Sequence, residues 1–372
     1  MKQFDSPFGL LDLGRHPYDS TPNLQAWNAA DELLLGYAKD HFTPDSRVLV
    51  LNDTFGALSV ALLKGGHRVV HSTDSSLSQR AVLSNLEHLR ISEQGLVLLD
   101  SLQIPRGHFD GVLIKLPKSN GFLSWQLSCL GNLEVPLVAA GMTKDIHSST
   151  IKIFEKYRKK VTTSFAEKKA RMILAVEGTV QPVPASGFPQ VYSLSSLQSQ
   201  VVAHAGVFSS AALDEGTAFL LKNFPKGISP QRIIDLGCGT GLLGLAAARS
   251  FPHAEVFLVD ESFMAVWSAR ETFRANGMGS RGVFLTGDCL EDFSPAYADL
   301  ILCNPPFHFQ NVQTQEVARK MLQDAKRVLK PGGQLWLVAN SHLGYHVEMK
   351  ILFSDLKITA KNEKFIVFRA LV

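Results

Sequence analysis

Cysteine is scarce in this chain and never paired. Cys129, Cys238, Cys289 and Cys303 are the whole complement in 372 residues, with no CxxC spacing and no histidine at ligand spacing beside them. That excludes a disulfide framework, gives no metal site to propose, and points to a reducing cytoplasm. Long apolar runs are missing as well. No stretch reaches the ~18 residues of a membrane span, and Met1-Lys2-Gln3-Phe4-Asp5 lacks the uninterrupted apolar core of a secretory leader. The expectation is a cytosolic protein without membrane contact, working as a monomer. Charge of one sign is also in short supply: charged residues are 19% of the chain and the net charge is +3. A polyanionic partner must therefore be met by a local patch.

What is present is enough apolar residue, 45% over 372 positions, to bury two ordinary cores. The break between them falls in Glu177–Gln190, EGTVQPVPASGFPQ, where three prolines and two glycines interrupt periodic sequence. Residues 1–180 are read as one domain, 181–190 as a linker and 191–372 as a second domain. In the second half, Arg232–Leu236, Glu255–Val259, Val283–Leu285, Ala298–Cys303, Gln334–Ala339 and Phe365–Arg369 read as strands. Leu242–Ser250, Phe263–Asn276 and Val312–Leu329 carry helical spacing, and Lys330-Pro331-Gly332-Gly333 reads as a turn ending the last of them. This alternation predicts an α/β domain, a doubly wound and largely parallel sheet with helices on both faces.

The first half repeats the rhythm. Val48–Leu51, Val69–Ser72, Leu96–Leu99, Gly111–Leu116 and Pro136–Ala140 read as strands. Val50–Leu58 aligns with Asp235–Leu243, and of the loop glycines only Gly56, opposite Gly241, survives. Asp74 falls opposite Asp260, and Lys115-Leu116-Pro117-Lys118 opposite Asn304-Pro305-Pro306-Phe307. The first copy keeps the architecture and loses the residues that do chemistry.

Asp235-Leu236-Gly237-Cys238-Gly239-Thr240-Gly241 lies between a strand and a helix, the setting of a nucleotide-binding glycine loop or, more plainly, of a tight turn. Asp260, ending the next strand, is placed to accept hydrogen bonds from ribose hydroxyls. The acid Asp235 ahead of the loop suits a cationic ammonium and sulfonium better than a pyrophosphate, which favours S-adenosylmethionine over a dinucleotide. Asp288, after the third strand, is either an acceptor for an adenine amino group or an exposed turn residue.

Asn304-Pro305-Pro306-Phe307 follows a strand at the carboxyl edge of the sheet. An exocyclic amine is a poor nucleophile because its lone pair is delocalised into the ring. The Asn304 side-chain carbonyl and the Pro305 backbone carbonyl can accept its N–H bonds and draw that pair out of conjugation. The prolines stiffen the loop, and Phe307 offers the base a stacking face; the plainer reading is a Pro-Pro strand end. Upstream, His204-Ala205-Gly206-Val207-Phe208-Ser209-Ser210 can cover such a site, with Phe208 either stacking or packed in the core.

Basic residues concentrate between Lys144 and Arg171, in the degenerate half. Lys156, Arg158, Lys159, Lys160, Lys168, Lys169 and Arg171, with Lys115 and Lys118 of the vestigial pocket, are the candidate contacts to nucleic-acid phosphates. A solvated helix face is the competing reading.

DLGCGTG, VDES at Val259–Ser262, NPPF and KPGG together resemble the class I methyltransferases that modify exocyclic amines. A degenerate copy followed by an intact one, with HAGVFS ahead of it, resembles the bacterial ribosomal RNA guanine-N2 methyltransferases over essentially the whole chain. LQAWNAADELL at Leu24–Leu34 and LVLNDTFGAL at Leu49–Leu58 look more like the large-subunit members than the small-subunit ones. The resemblance implies two tandem Rossmann-like methyltransferase domains. It further implies methyl transfer from S-adenosylmethionine to a guanine 2-amino group in ribosomal RNA, leaving S-adenosylhomocysteine, with the first domain recognising RNA. By motif position it assigns Asp235, Gly237, Gly239, Gly241, Asp260, Asp288 and Asn304 to the cofactor, and Asn304, Pro305 and Phe307 to the guanine. Adenine N6 or protein glutamine methylation stays open, as do a small-subunit RNA target and a non-catalytic RNA-binding folding factor.

Overall fold

The computed structural model describes residues 2–15, 24–210, 212–306 and 312–372. The chain divides into two compact units, Met1–Phe188 and Pro189–Val372.

The first unit opens with a hairpin of β1 (Lys2–Ser6) and β2 (Gly9–Leu13), followed by α1 (Ala29–His41), β3 (Arg47–Leu51) and α2 (Ala57–Lys64). Next come β4 (Arg68–Thr73), α3 (Ser76–Leu89), β5 (Leu96–Asp100), β6 (Gly111–Lys115) and α4 (Asn120–Cys129). It closes with β7 (Leu137–Met142), α5 (Ser148–Tyr157), β8 (Arg158–Thr163) and β9 (Ala170–Thr179). The second unit begins with the hairpin β10 (Gln190–Leu194) and β11 (Ser199–Ala203), then α6 (Glu215–Lys222), β12 (Arg232–Leu236) and α7 (Leu242–Ser250). It continues through β13 (Glu255–Asp260), α8 (Phe263–Ala275), β14 (Gly282–Thr286), β15 (Ala298–Cys303) and α9 (Val312–Val328). The last elements are β16 (Leu329–Asn340), α10 (Tyr345–Leu352), β17 (Asp355–Lys361) and β18 (Phe365–Leu371).

Among the described residues each unit holds one seven-stranded sheet, ordered β5-β4-β3-β6-β7-β9-β8 in the first and β14-β13-β12-β15-β16-β18-β17 in the second. The two orders are the same topology, so the repeat read from sequence is a repeat of fold. In each sheet five strands run parallel, and the last two pair antiparallel at one edge. Both faces of the central strands are covered. In β12, Ile233 joins one apolar cluster while Ile234 and Leu236 join the other; in β15, Leu300 and Leu302 oppose Ile301 and Cys303 in the same way. Period-two alternation between two buried layers is what a doubly wound sheet requires. The sheet order reverses between β12 and β15, so a crevice opens at their carboxyl ends, where α/β folds bind ligands.

Three expectations need correction. Lys330-Pro331-Gly332-Gly333 is no terminating turn: α9 runs directly into β16, and these residues bulge within the strand, Ala298 pairing with Leu329 and Leu300 with Gln334. Gly332 takes φ +77, which the bulge requires. The basic stretch is not one helix face, because after α5 it becomes the β8–β9 hairpin at the sheet edge. Part of the expected linker packs on the first unit: Val183 joins an apolar cluster there, in the space that Gly131 leaves by having no side chain.

Candidate active site

Two backbone N–H groups fold the loop after β12 onto the end of β13, Gly237 N and Cys238 N donating to Val259 O at 2.8 and 3.0 Å. Gly239 N donates to Asp260 Oδ2 at 3.0 Å, and Ser262 N to Asp260 Oδ1 at 3.1 Å. Asp260 thus braces the loop at the spot where β13 ends. Burial raises its carboxyl above the usual range against the pull of these N–H groups.

The three glycines share positive φ, +71, +52 and +78, but not a role. A Cβ on Gly239 meets nothing within 4 Å, so this residue borders open space. A Cβ on Gly241 would stand 2.8 Å from Ala269 Cβ and 3.0 Å from its Cα. Gly241 is therefore required by the packing of α7 on α8, a role its assignment by motif position did not include. Asp235 is turned inward too: it is 1% exposed and accepts Gly244 N at 2.7 Å, tying the start of α7 to β12. Burial pushes its carboxyl up to about 8; the Gly244 N–H opposes the rise and Asp260 adds to it. Asp288 is 1% exposed, with Lys320 Nζ 3.8 Å from its Oδ2, which removes the reading of an exposed turn.

Leu236 pairs with Cys303 across β12 and β15, so the next residues, Gly237 and Asn304, leave the sheet side by side. Asn304 Nδ2 donates to Asp214 Oδ2 at 3.0 Å and to Thr217 Oγ1 at 2.8 Å. A carboxylate only accepts, so Asp214 dictates which end of the amide is nitrogen. Asn304 Oδ1 then faces the other way, buried and without a hydrogen-bond partner among the described residues. A buried carbonyl left unbonded costs about 1–3 kcal/mol unless a ligand donates to it. Asp214 is also the N-cap of α6, accepting Thr217 N at 2.8 Å, so the clamp is built into a helix start. Pro305 is buried and Pro306 exposed, while Phe307 lies outside the described residues. Sequence reading missed Asp214 and Thr217; their one local signal was an aspartate three residues ahead of a threonine at a helix start. Phe208 is 61% exposed, which excludes its core-packing alternative. His204 is buried, edge-on to Trp267, and burial lowers its pKa to about 4.

The corresponding corner of the first unit is filled by its own side chains. Leu51 pairs with Ile114, placing Asn52 and Lys115 where the second unit has Gly237 and Asn304. Asn52, at φ +63, exchanges hydrogen bonds of 2.8–3.0 Å with Gln126 and donates to Lys115 O. Lys115 Nζ lies 2.7 Å from Asp31 Oδ2, with Asp31 fully buried and the lysine side chain 16% exposed. Burial raises the Asp31 carboxyl and the lysine charge opposes the rise. Asp53 accepts Gly56 N and Ser59 N, anchoring α2 much as Asp235 anchors α7. Gly56 is kept for the same reason as Gly241, since its Cβ would stand 3.0 Å from Val82 Cα. The glycine the repeat retains is the one packing needs.

Lys115 is thereby withdrawn as a phosphate contact, its charge being held by Asp31 inside the fold. Arg158 is withdrawn as well: it is 2% exposed, donates to Val135 O, and burial lowers its pKa. Arg171 is half-buried and bonded to Thr163 Oγ1. Lys160 pairs with Glu177 at 2.8 Å, Lys168 with Glu32 at 2.6 Å, and Lys156 donates to Ala185 O. Lys118, Lys159 and Lys169 are exposed. The β8–β9 turn also carries Phe165, 98% exposed on an ordered tip where Glu167 and Ala170 exchange backbone hydrogen bonds of 2.7 and 2.8 Å.

Residues 198–369 match the family described as "Methyltransferase small domain", and residues 1–181 the "RLMG N-terminal domain". The chain is 41% identical to a ribosomal RNA large subunit methyltransferase G of Streptomyces avermitilis, covering 98% of both chains. It is also 41% identical to the protein of that name in Aeromonas salmonicida, over 99% of this chain and 98% of the other. Its fold is shared with a 16S rRNA N2 methyltransferase of T. thermophilus solved with AdoMet and guanosine: TM-score 0.79, 23% identity, 100% of this chain and 97% of that one.

Proposed function

We propose, from the premise that the chain belongs to the ribosomal RNA large subunit methyltransferase G family, that its second unit methylates the 2-amino group of a guanosine in large-subunit ribosomal RNA, with S-adenosylmethionine as donor. One observation carries the chemistry: Asn304 Oδ1 is buried, unbonded among the described residues, and held in place by Asp214 and Thr217. It is a preorganised acceptor for an N–H.

The open space beside Gly239, with the Asp260 carboxyl bracing the same loop at its border, fits a ligand bearing ribose hydroxyls. When bound, S-adenosylmethionine supplies a methyl carbon made electrophilic by its sulfonium. Asn304 Oδ1 and the Pro305 carbonyl accept the two N–H bonds of the guanine amine, localising the nitrogen lone pair. The rigid Pro-Pro segment would hold the base in place for attack on that methyl group. Methyl transfer would form the bond from the amine nitrogen to carbon as the carbon–sulfur bond of the donor breaks, with one amine proton lost to water. In the first unit, where side chains fill the corresponding corner, exposed Lys159 and Lys169 with Phe165 on its tip suit RNA backbone and an unstacked base. All four cysteines are free thiols, in keeping with a reducing cytoplasm. No described helix is long and apolar enough to cross a membrane.

The test is labelled methyl transfer to deproteinised large- and small-subunit RNAs from cells lacking the protein, with nucleosides identified by mass. N2-methylguanosine should appear in the large-subunit RNA. Asn304→Ala should lower kcat by about 10²–10³-fold, the range for removing one preorganised hydrogen-bonding group, while cofactor affinity holds. Label in another nucleoside, or full activity of Asn304→Ala, would overturn the proposal.

A further inference from the structure

We propose that Asp214 reads the N1–H of the target guanine and so decides which base is accepted, an inference that rests on the guanine-N2 reading. A single amide acceptor recognises an amine; it does not separate guanine from the other bases that carry one. Asp214 can. Its Oδ2 takes Asn304 Nδ2 at 3.0 Å and Thr217 N at 2.8 Å, which fixes the carboxylate against the amide that meets the amine. No hydrogen bond from the described residues reaches its Oδ1, and the residue is half-buried, at the mouth of the same corner.

The chemistry at the neighbouring ring position differs between bases. Beside its 2-amino group guanine presents N1–H, a donor. Adenine and cytosine present a ring-nitrogen lone pair beside their amino groups. A carboxylate oxygen next to N1–H makes a charge-assisted hydrogen bond, whereas the same oxygen next to a lone pair meets like charge and leaves two acceptors unbonded. Asn304 and Asp214 together therefore display an acceptor pair that complements the N1–H and N2–H edge of guanine. The cap geometry, φ −63 and ψ 139 at the start of α6, holds the carboxylate without help from the RNA.

The experiment uses the full-length protein and synthetic RNA in which the target guanosine, located by mass mapping, is replaced by 2-aminopurine. That analogue keeps the 2-amino group and puts a lone pair at N1. Wild-type protein should prefer guanine by at least about 10²-fold in kcat/KM, as sites built to hydrogen-bond a polar group do. Asp214→Asn keeps an N-cap of equal quality and replaces an acceptor with a possible donor, so the preference should fall at least tenfold. Asp214→Ser, which also caps the helix but carries no charge, should lose discrimination as well. Thr217→Val disturbs only the clamp on Asn304 and should slow both substrates by the same factor. An unchanged base ratio in both Asp214 variants, with both substrates slowed equally, would show a residue that merely positions Asn304 and overturn the inference. Wild-type protein that methylates neither 2-amino group would instead overturn the guanine-N2 reading on which it stands.

Discussion

A methyl group added at Gly239, Gly241 or Gly56 meets three different surroundings, and the consequences follow from the distances. At Gly241 the new Cβ would lie 2.8 Å from Ala269 Cβ and 3.0 Å from Ala269 Cα, atoms on a helix backbone that cannot swing aside. Overpacking of this kind costs about 1–3 kcal/mol, and φ +78 adds about 1–2 kcal/mol for a residue with a side chain. The sum, about 2–5 kcal/mol, corresponds to a fall of about 4–20 °C in the Tm of the second unit at 2–4 °C per kcal/mol. At Gly239 nothing lies within 4 Å, so Gly239→Ala costs only the backbone strain, about 1–2 kcal/mol, but its methyl enters the space assigned to the cofactor. Affinity for S-adenosylmethionine should drop at least tenfold. Gly56→Ala repeats the Gly241 clash against Val82 in the other unit and should lower that unit's stability with cofactor affinity intact. Scanning calorimetry of the full-length protein, with titration calorimetry of S-adenosylmethionine below the first transition, reads all three. Normal cofactor affinity in Gly239→Ala, or an unchanged Tm in Gly241→Ala, would refute the division of roles.

Lys115→Ala should leave Asp31 buried without its cation, costing about 3–5 kcal/mol of first-unit stability; RNA affinity measured well below Tm should fall instead on Lys169→Ala and Phe165→Ala, the latter by about 10-fold or more. The opposite pattern would restore Lys115 as an RNA contact. For Asp235 the folded carboxyl sits near 8, above its ordinary 3.8, so between those values the native state holds a proton that the unfolded chain has lost. Its contribution to stability is therefore fully present below about pH 4 and declines as pH rises towards 8; Asp235→Asn should flatten that slope in urea titrations at a series of pH values. A cation bound nearby favours the ionised carboxyl, so S-adenosylmethionine binding below pH 8 should release a proton from wild-type protein and not from Asp235→Asn, as calorimetry in buffers of different ionisation enthalpy will show.

The order of strands and helices, the duplication and the two motifs at the sheet edge were legible because each is a local pattern. Short apolar runs such as Arg232–Leu236 and Ala298–Cys303, and a glycine loop between strand and helix, need no distant partner to be recognised. The register of a parallel sheet then brings Gly237 and Asn304 together, since both follow paired strand ends. What sequence left open was the fate of individual polar groups. Asn304 and Asp214 are 90 positions apart, Lys115 and Asp31 84, and only folding makes one a clamp on an acceptor and the other a buried ion pair. A lysine or arginine in a basic stretch reads the same whether it ends in solvent, as Lys169 does, or buried, as Arg158 is. Likewise three loop glycines look equivalent until α8 packs against one of them. Local periodicity encodes the elements, because each residue's backbone preference acts on its near neighbours; desolvation and pairing are decided by what the tertiary structure sets beside a group, and that determines which residues face the substrate and which hold the fold.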